Sequence, residues 1–270
     1  MRALLFRIIY FFVFFGTSTI AGMLIPFLQY KGFDPIQTGS LISLFTLSGL
    51  VGLFSIGYFC DKLKTIKKVL FPSLIITTIT GAIAILFNKG IVFYIGFFFM
   101  GLFNSMLGPL CDSWIMESSD DIKSRFGQLR AFGSVGWAFG VLIVGFVISN
   151  LGYKYVTFIY VGSLLVGIFC TFRLKDVVKS CKGSISFKPL LTNKDYIFIV
   201  VTLLIICIGF RGYLQLVPYG ITRIGGNTSD LGIYNFICSA TCMAIILMME
   251  KSDSCKAHNH IVFITCIYYM

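Results

Sequence analysis

The amino-acid sequence predicts an all-α protein, a polytopic bundle of membrane-spanning helices. Hydrophobic residues make up 57% of the chain. Charged residues make up only 12%, against roughly 25% in soluble domains. Apolar stretches close to the roughly 20 residues that a spanning helix needs alternate with short polar or turn-rich segments. This pattern favours a membrane bundle over a soluble enzyme.

Eight apolar stretches are predicted to be spanning helices: residues 3–29, 36–59, 69–87, 91–116, 125–149, 155–172, 196–219 and 231–249. The first follows Arg2 and is similar to a signal peptide, yet it is too long for a leader and lacks a small-residue cleavage site. We therefore predict an uncleaved first span. Residues 261–270 are too few to cross a bilayer, so we expect the second group of helices to be incomplete.

The lysines and arginines between the stretches are distributed unevenly. If the N-terminus is cytoplasmic, four of the 22 fall outside: Lys31, Lys89, Lys154 and Arg223. Arg130 and Arg211 lie well within stretches. The remaining sixteen are counted as inside, including Arg7 and Arg125 near the ends of their stretches. The positive-inside rule therefore predicts a multi-pass protein of the cell (inner) membrane with a cytoplasmic N-terminus. The net charge of +11 follows from this bias, and no nucleic-acid partner is predicted.

A long basic segment follows the sixth stretch. Six spans, a cytoplasmic linker and further spans are typical of transporters built from two six-helix halves. We predict a six-helix N-terminal transmembrane domain at residues 1–172, a basic linker at 173–195 and an incomplete C-terminal transmembrane domain at 196–270.

Two opposite charges lie inside neighbouring apolar stretches. Asp112 and Arg130 are each nine positions from Asp121, which lies in the loop between them. At about 1.5 Å of rise per residue, an antiparallel hairpin brings both to one depth. A lone charge in hydrocarbon costs several kcal/mol, so such charges usually pair or line a wet cavity. We expect the two to face each other in a cleft halfway through the bundle, as a binding site or as a structural latch.

Other polar and aromatic residues extend this candidate site. Trp137 lies seven residues after Arg130, on the same helical face. An arginine supplies five donors and a carboxylate supplies acceptors, so the pair suits a polyol while the indole offers a platform for its ring. In the seventh stretch, Arg211 and Gln215 are one turn apart. Arg211 is predicted to attract an anionic substrate or to serve as a structural partner for Glu250 or a helix dipole.

The loop after the second stretch carries a charged motif, G-Y-F-C-D-K-L-K-T-I-K-K. It resembles the signature between helices 2 and 3 of the major facilitator superfamily, although it is two residues longer and lacks the second glycine. The resemblance implies a gating charge relay formed by Gly57, Asp61, Lys62, Lys67 and Lys68. The alternative is that the lysines are ordinary positive-inside residues.

Residues 109–138 contain P-L-C-D-S-W-I-M-E and F-G-Q-L-R-A-F-G-S-V-G-W-A. These segments resemble the lactose-permease branch of that superfamily, the oligosaccharide:proton symporters. The resemblance implies that Asp112 and Arg130 bind sugar hydroxyls and that Trp137 packs on the sugar ring. The acidic stretch of the branch's helix 7 is absent here. That departure argues against lactose itself and leaves open the 3-phenylpropionate-type and nucleoside:proton symporters.

The resulting functional prediction is proton-coupled uptake of a small, sugar-like solute by alternating access. The alternatives are symport of an aromatic acid or nucleoside, a non-transporting membrane sensor, and a truncated remnant. The predicted partners are the substrate, protons and lipid, with no cofactor or enzymatic activity. No metal site is predicted, since the nine cysteines form no C-x-x-C pair and Cys255, His258 and His260 lack a fourth ligand.

Overall fold

The computed structural model describes residues 2–87, 90–177 and 192–250, and these ranges are helical, with no strand. The predicted all-α class is confirmed. The helices are α1 Arg2–Ala21, α2 Leu24–Tyr30, α3 Pro35–Leu63, α4 Lys67–Leu86, α5 Ile91–Met116, α6 Asp120–Lys123, α7 Phe126–Leu151, α8 Val156–Arg173, α9 Lys194–Arg223 and α10 Thr228–Glu250. A 3₁₀ turn, Tyr153–Tyr155, leads into α8.

Seven of the described helices are long and apolar enough to cross a membrane. They are α1, α3, α4, α5, α7, the unit Tyr153–Arg173 that contains α8, and Tyr196–Arg223 of α9. The eighth predicted stretch forms α10, which is helical but does not belong to this set. Most of the predicted basic linker, residues 178–191, lies outside the described ranges.

The first predicted span is interrupted, contrary to the expectation of one continuous helix over 3–29. Helix α1 ends at Ala21, and α2 begins at Leu24. Pro26 explains the break, because its ring clashes with the carbonyl four residues earlier and it has no N–H to donate. That carbonyl belongs to Gly22, and it accepts a hydrogen bond from Nδ2 of Asn235 at 3.4 Å.

Local hydrogen bonds fix the chain between the first spans. Asp34 caps α3 by accepting from the Gln37 N–H at 2.7 Å, and the Gln37 side chain accepts from the Asp34 N–H at 3.3 Å. Just before this cap, Nζ of Lys31 donates to the carbonyls of Ile85 and Phe87 at 2.6 and 2.9 Å. Lys31 thereby satisfies carbonyls at the end of α4, and burial lowers the pKa of its ammonium group.

The packing of the first six long helices repeats itself. Helix α1 packs on α7 and α8, α5 packs on α3 and α4, and α4 also contacts α8. Exchanging α1 with α5, α3 with α7, and α4 with α8 leaves this set of contacts unchanged. Such an exchange relates two three-helix repeats, an organisation known from transporters. The repeat is visible in the packing, although the sequence gives no sign of it.

Glycines permit close approach at the two equivalent crossings. Where α7 meets α1, a Cβ on Gly136 or Gly140 would collide with the backbone of α1. Where α5 meets α3, a Cβ on Gly101 or Gly52 would collide with the facing helix in the same way. Small residues at such positions let helix backbones pack tightly in membranes. The α1–α7 and α3–α5 pairs therefore share a packing solution as well as a place in the repeat.

Helix α10 also packs on α7. A Cβ on Gly145 would lie 3.0 Å from the Cα of Gly232, and the Thr228 hydroxyl donates to the Gly145 carbonyl at 3.3 Å. Helix α9 is largely exposed and is joined to α10 by a 3.0 Å hydrogen bond from the Tyr234 hydroxyl to that of Tyr213. The predicted division into two transmembrane domains stays a prediction.

Candidate functional site

The structure brings Asp112 and Arg130 together at one end of the bundle. Helices α5 and α7 run antiparallel, and Nε of Arg130 lies 3.5 Å from Oδ1 of Asp112. Asp112 is four residues from the end of α5, and Arg130 is four residues from the start of α7. At about 1.5 Å per residue, each lies about 6 Å from its helix end. The expectation of a site halfway through the bundle is therefore wrong.

We call this end of the bundle the basic end. It comprises the start of α1, the turn 64–66, the connection 117–125 and residues 174–177. Equal spacing from Asp121 predicts that the two residues lie at the same depth. It does not predict how deep that is, because hydrophobicity alone does not show where each helix ends.

A tyrosine that the sequence analysis missed completes the pair. The hydroxyl of Tyr10, in α1, donates to Oδ1 of Asp112 at 2.6 Å, and the Tyr10 side chain is fully buried. Tyr10 is the one tyrosine in the first apolar stretch, where the other aromatic residues are phenylalanines. That lone phenolic hydroxyl was the available signal, but nothing in the sequence connected it to a carboxylate 102 positions away.

The ring of Phe14 supports the arginine from the same face of α1. The guanidinium carbon of Arg130 lies 4.7 Å from the Phe14 ring centroid, and Phe14 stacks on Tyr10 at 5.8 Å. Gly133 leaves room for this cluster, since a Cβ there would lie 3.1 Å from both rings and 3.2 Å from Nη1 of Arg130. A cation over an aromatic face gains about 0.5–2 kcal/mol, more when water is excluded. Helix α1 therefore contacts both charged groups, Asp112 through Tyr10 and Arg130 through Phe14.

The described residues leave some hydrogen-bonding positions on Asp112 and Arg130 unused. Both polar contacts that the described residues make with Asp112 fall on Oδ1, which leaves Oδ2 as an acceptor. Nη1 of Arg130 is buried and has no hydrogen-bond partner among the described residues. The side chains are 35% and 14% exposed, respectively. A carboxylate only accepts and a guanidinium only donates, so together they match a group that does both, such as a hydroxyl.

The other predicted binding residues lie farther away. Trp137 follows Arg130 by two turns of α7 and is half-buried against the hydrophobic core. Gln215 is exposed on α9, and the side chain of Arg211 lies outside the described part of the structure. Helix α9 contacts chiefly α10 and α2, neither of which carries the charged pair. The structure thus does not bring Gln215 to the site.

The residues of the predicted gating motif divide into two groups. Gly57, Asp61 and Lys62 lie in the last two turns of α3. No atom of a described neighbouring helix comes within 4 Å of a Cβ built on Gly57. Nζ of Lys62 sits 5.6 Å from the Tyr58 ring, and Asp61 is exposed. Close packing therefore does not explain a glycine at position 57.

Lys67 instead joins the two repeats. Its Nζ donates to the carbonyls of Phe172 and Leu174 at 2.8 and 2.6 Å, at the end of α8. In return, Oδ1 of Asp176 accepts from the Lys67 N–H at 3.3 Å, and its Oδ2 accepts from the Thr65 hydroxyl. A cation at a helix C-terminus and an anion at a helix N-terminus both complement the helix dipole. We call this arrangement the crossed caps.

Two further observations concern the same region. Lys68 is exposed, and its N–H donates to the Thr65 hydroxyl oxygen at 3.4 Å. The sequence analysis missed Asp176, because it lies in the predicted linker rather than in the motif. A cavity of about 340 Å³ also opens at the basic end, lined in part by Arg2, Glu117 and Asp176.

The structure also bears on metal binding. Within the described ranges, no group of three or more His, Cys, Asp or Glu residues is placed to hold a metal ion. Cys255, His258 and His260 lie outside those ranges.

Comparison with known proteins places these observations in context. A family model described as "Major Facilitator Superfamily" matches residues 7–267. The "Maltose permease" of Geobacillus stearothermophilus is 21% identical over 239 residues, which are 86% of this chain and 60% of the relative. The "Uncharacterized transporter YwbF" of Bacillus subtilis (strain 168) is 26% identical over 238 residues, 84% of this chain and 58% of the relative. The chain thus spans about 60% of the length of these relatives.

Solved structures share the fold. The POT family transporter PepTSo matches with a TM-score of 0.59 and 16% identity, covering 96% of this chain and 56% of PepTSo. A structure titled for substrate recognition in proton dependent oligopeptide transporters matches with a TM-score of 0.58 and 14% identity, covering 94% and 55%. At this identity the likeness concerns the fold alone. These matches do not single out the lactose-permease branch.

Proposed function

This chain belongs to the major facilitator superfamily, and we propose that it takes up a small, hydroxylated, sugar-like solute by alternating access, driven by protons. The proposal places it in the cell membrane with the basic end in the cytoplasm. It assigns substrate binding to Asp112, Arg130 and Trp137, with Arg211 as a further contact from α9.

The observation that carries the proposal is that Nη1 of Arg130 is buried and has no hydrogen-bond partner in the described part of the chain. A buried donor left without an acceptor costs about 1–3 kcal/mol, and a ligand oxygen would remove that cost. Oδ2 of Asp112 is open on the other member of the pair. A sugar hydroxyl can accept from the guanidinium and donate to the carboxylate. A purely structural latch has no use for either open position.

Two further points support a sugar. Trp137 lies on the α7 face that carries Arg130, and an indole beside hydrogen-bonding groups suits a hydroxylated ring. One of the relatives is named as a permease for maltose, which is a disaccharide.

The crossed caps support a gate at the basic end, because they join α4 to α8. Lys67 and Asp176 each satisfy backbone groups of the opposite repeat, so movement between α4 and α8 must break both caps together. We assign the gate to Lys67 together with Gly57, Asp61, Lys62 and Lys68 of the motif. The gate would close the basic end when the caps are intact.

The decisive experiment measures binding of radiolabelled maltose, a methyl galactoside, uridine and 3-phenylpropionate to the purified chain. We expect sugar binding and, in liposomes, sugar accumulation driven by an imposed pH gradient. Binding of only uridine or only phenylpropionate would establish the alternative substrate class. Binding of none would reject the proposed function.

The matched variants are Arg130→Lys and Arg125→Lys. Each keeps the charge but loses the planar fork. Arg125 pairs with Asp121 at 3.0 Å on the surface, outside the site. We expect Arg130→Lys to weaken sugar binding by at least about tenfold, as loss of a charged hydrogen bond does, and Arg125→Lys to leave it unchanged. Equal binding by both variants would show that Arg130 and Asp112 form only a latch.

A further inference from the structure

We infer that Tyr10 is a positioning residue that sets which hydroxyl stereochemistry the site accepts. The inference rests on the proposed function and extends it to a helix that neither the motif nor the relatives' names implicate. Tyr10 makes no use of the open positions on Asp112 and Arg130. It acts through Asp112, by fixing how the carboxylate is turned.

The contact with Arg130 does not by itself hold the Asp112 carboxylate in one orientation. A carboxylate contacted only by Nε of Arg130 at 3.5 Å retains freedom to rotate, because one long contact defines a distance and little else. The Tyr10 hydroxyl adds a hydrogen bond to the same oxygen at 2.6 Å. This hydrogen bond and the ion contact come from different helices, and together they restrict the plane of the carboxylate. Oδ2 is then held in one direction as the free acceptor.

The tyrosine is itself held rigidly. Its side chain is fully buried, and its ring stacks on Phe14 with an interplanar angle of 4°. The same Phe14 ring lies under the Arg130 guanidinium at 4.7 Å. Tyr10 and Phe14 are four residues apart, one turn of α1, so a single helix face fixes the acceptor and the donor at a constant separation.

A fixed acceptor and a fixed donor discriminate between epimers. A site built to hydrogen-bond a hydroxyl rejects ligands that cannot place one there, because its buried polar groups stay unpaired. A carboxylate that can turn would instead follow the hydroxyl of either epimer. Loss of the Tyr10 hydroxyl should therefore lower selectivity as well as affinity.

The test uses Tyr10→Phe, with Tyr160→Phe as the matched control. Tyr160 is also fully buried, and its hydroxyl donates across helices to the Thr77 carbonyl at 2.7 Å, away from the site. Equilibrium dissociation constants are measured for a glucoside and the epimeric galactoside. We expect the selectivity ratio to fall about tenfold in Tyr10→Phe and to be unchanged in Tyr160→Phe. Equal ratios in wild type and Tyr10→Phe would overturn the inference.

A second readout does not depend on the ligand. A membrane-permeant carbodiimide modifies carboxyl groups, and its rate at Asp112 is followed by mass spectrometry of the full chain. We expect Asp112 to react several-fold faster in Tyr10→Phe than in wild type or Tyr160→Phe. Equal rates would show that Tyr10 does not hold the carboxylate. If no sugar binds the wild type but these rates differ, the proposed function fails while the positioning role of Tyr10 stands.

Discussion

Two arginine–aspartate pairs lie close together at the basic end, and they differ in separation, exposure and surroundings. Arg125 and Asp121 are 3.0 Å apart, one turn from each other, with side chains 48% and 69% exposed. Arg130 and Asp112 are 3.5 Å apart, on different helices, and 14% and 35% exposed. The closer pair is the solvated one. Separation alone therefore does not rank the pairs, because surface ion pairs contribute only about 0–1 kcal/mol.

The surroundings explain the difference. Tyr10 and Phe14 accompany the inner pair, while Asp121 and Arg125 are joined within one short connection. The inner pair ties three helices, α1, α5 and α7, to one another. Among the residues that the structure describes, nothing bonds to Oδ2 of Asp112 or to the buried Nη1 of Arg130. An ion pair is therefore a candidate binding site when its charged groups keep hydrogen-bonding positions that the neighbouring residues do not fill.

The largest expected effect tests stability. Asp112→Ala leaves a mostly buried guanidinium and a buried phenol without their partner, which should destabilise the folded protein by about 3 kcal/mol. Asp121→Ala should cost less than about 1 kcal/mol. Denaturant unfolding of both variants in the same detergent provides the measurement. Equal stabilities would mean that the inner pair behaves like a surface contact.

An intermediate effect is expected from added methyl groups. Gly133→Ala places a Cβ 3.1 Å from the rings of Tyr10 and Phe14, so overpacking should cost about 1–3 kcal/mol and disturb the site. Gly57→Ala meets open space and should stabilise α3 by up to about 1 kcal/mol through helix propensity. Thermal unfolding should shift in opposite directions. If Gly133→Ala left the thermal stability unchanged, the rings of Tyr10 and Phe14 must be able to move aside.

The smallest effect concerns salt. In double-mutant cycles, the coupling of Arg125 with Asp121 should be about 0.5 kcal/mol at low salt and vanish in 1 M salt, where the Debye length is about 3 Å. The coupling of Arg130 with Asp112 should be larger and less sensitive to salt, since its members are less exposed to solvent. Unfolding free energies at two salt concentrations provide both values. If salt lowered both coupling energies by the same fraction, the two pairs would not differ in their response to salt.

Much of this could be predicted from the sequence, for identifiable reasons. Helix periodicity and the equal spacing around Asp121 placed Asp112 and Arg130 opposite each other. Tyr10 could not be placed, because its contact depends on how α1 packs between α5 and α7. Asp176 was missed for the same reason, since its partners at the start of α4 are more than a hundred positions away. The sequence also does not reveal how α9 packs, so Gln215 was assigned to a site that it does not reach.

The proline break near the start of the chain has a consequence for movement. Because Pro26 cannot donate, the Gly22 oxygen depends on a side chain from α10, the amide of Asn235. If α10 moves away from α1, the Gly22 oxygen must accept a hydrogen bond from water or from another donor. A carbonyl without any donor in hydrocarbon costs several kcal/mol. Separation of α10 from the end of α1 is therefore expected only where water can enter beside Gly22.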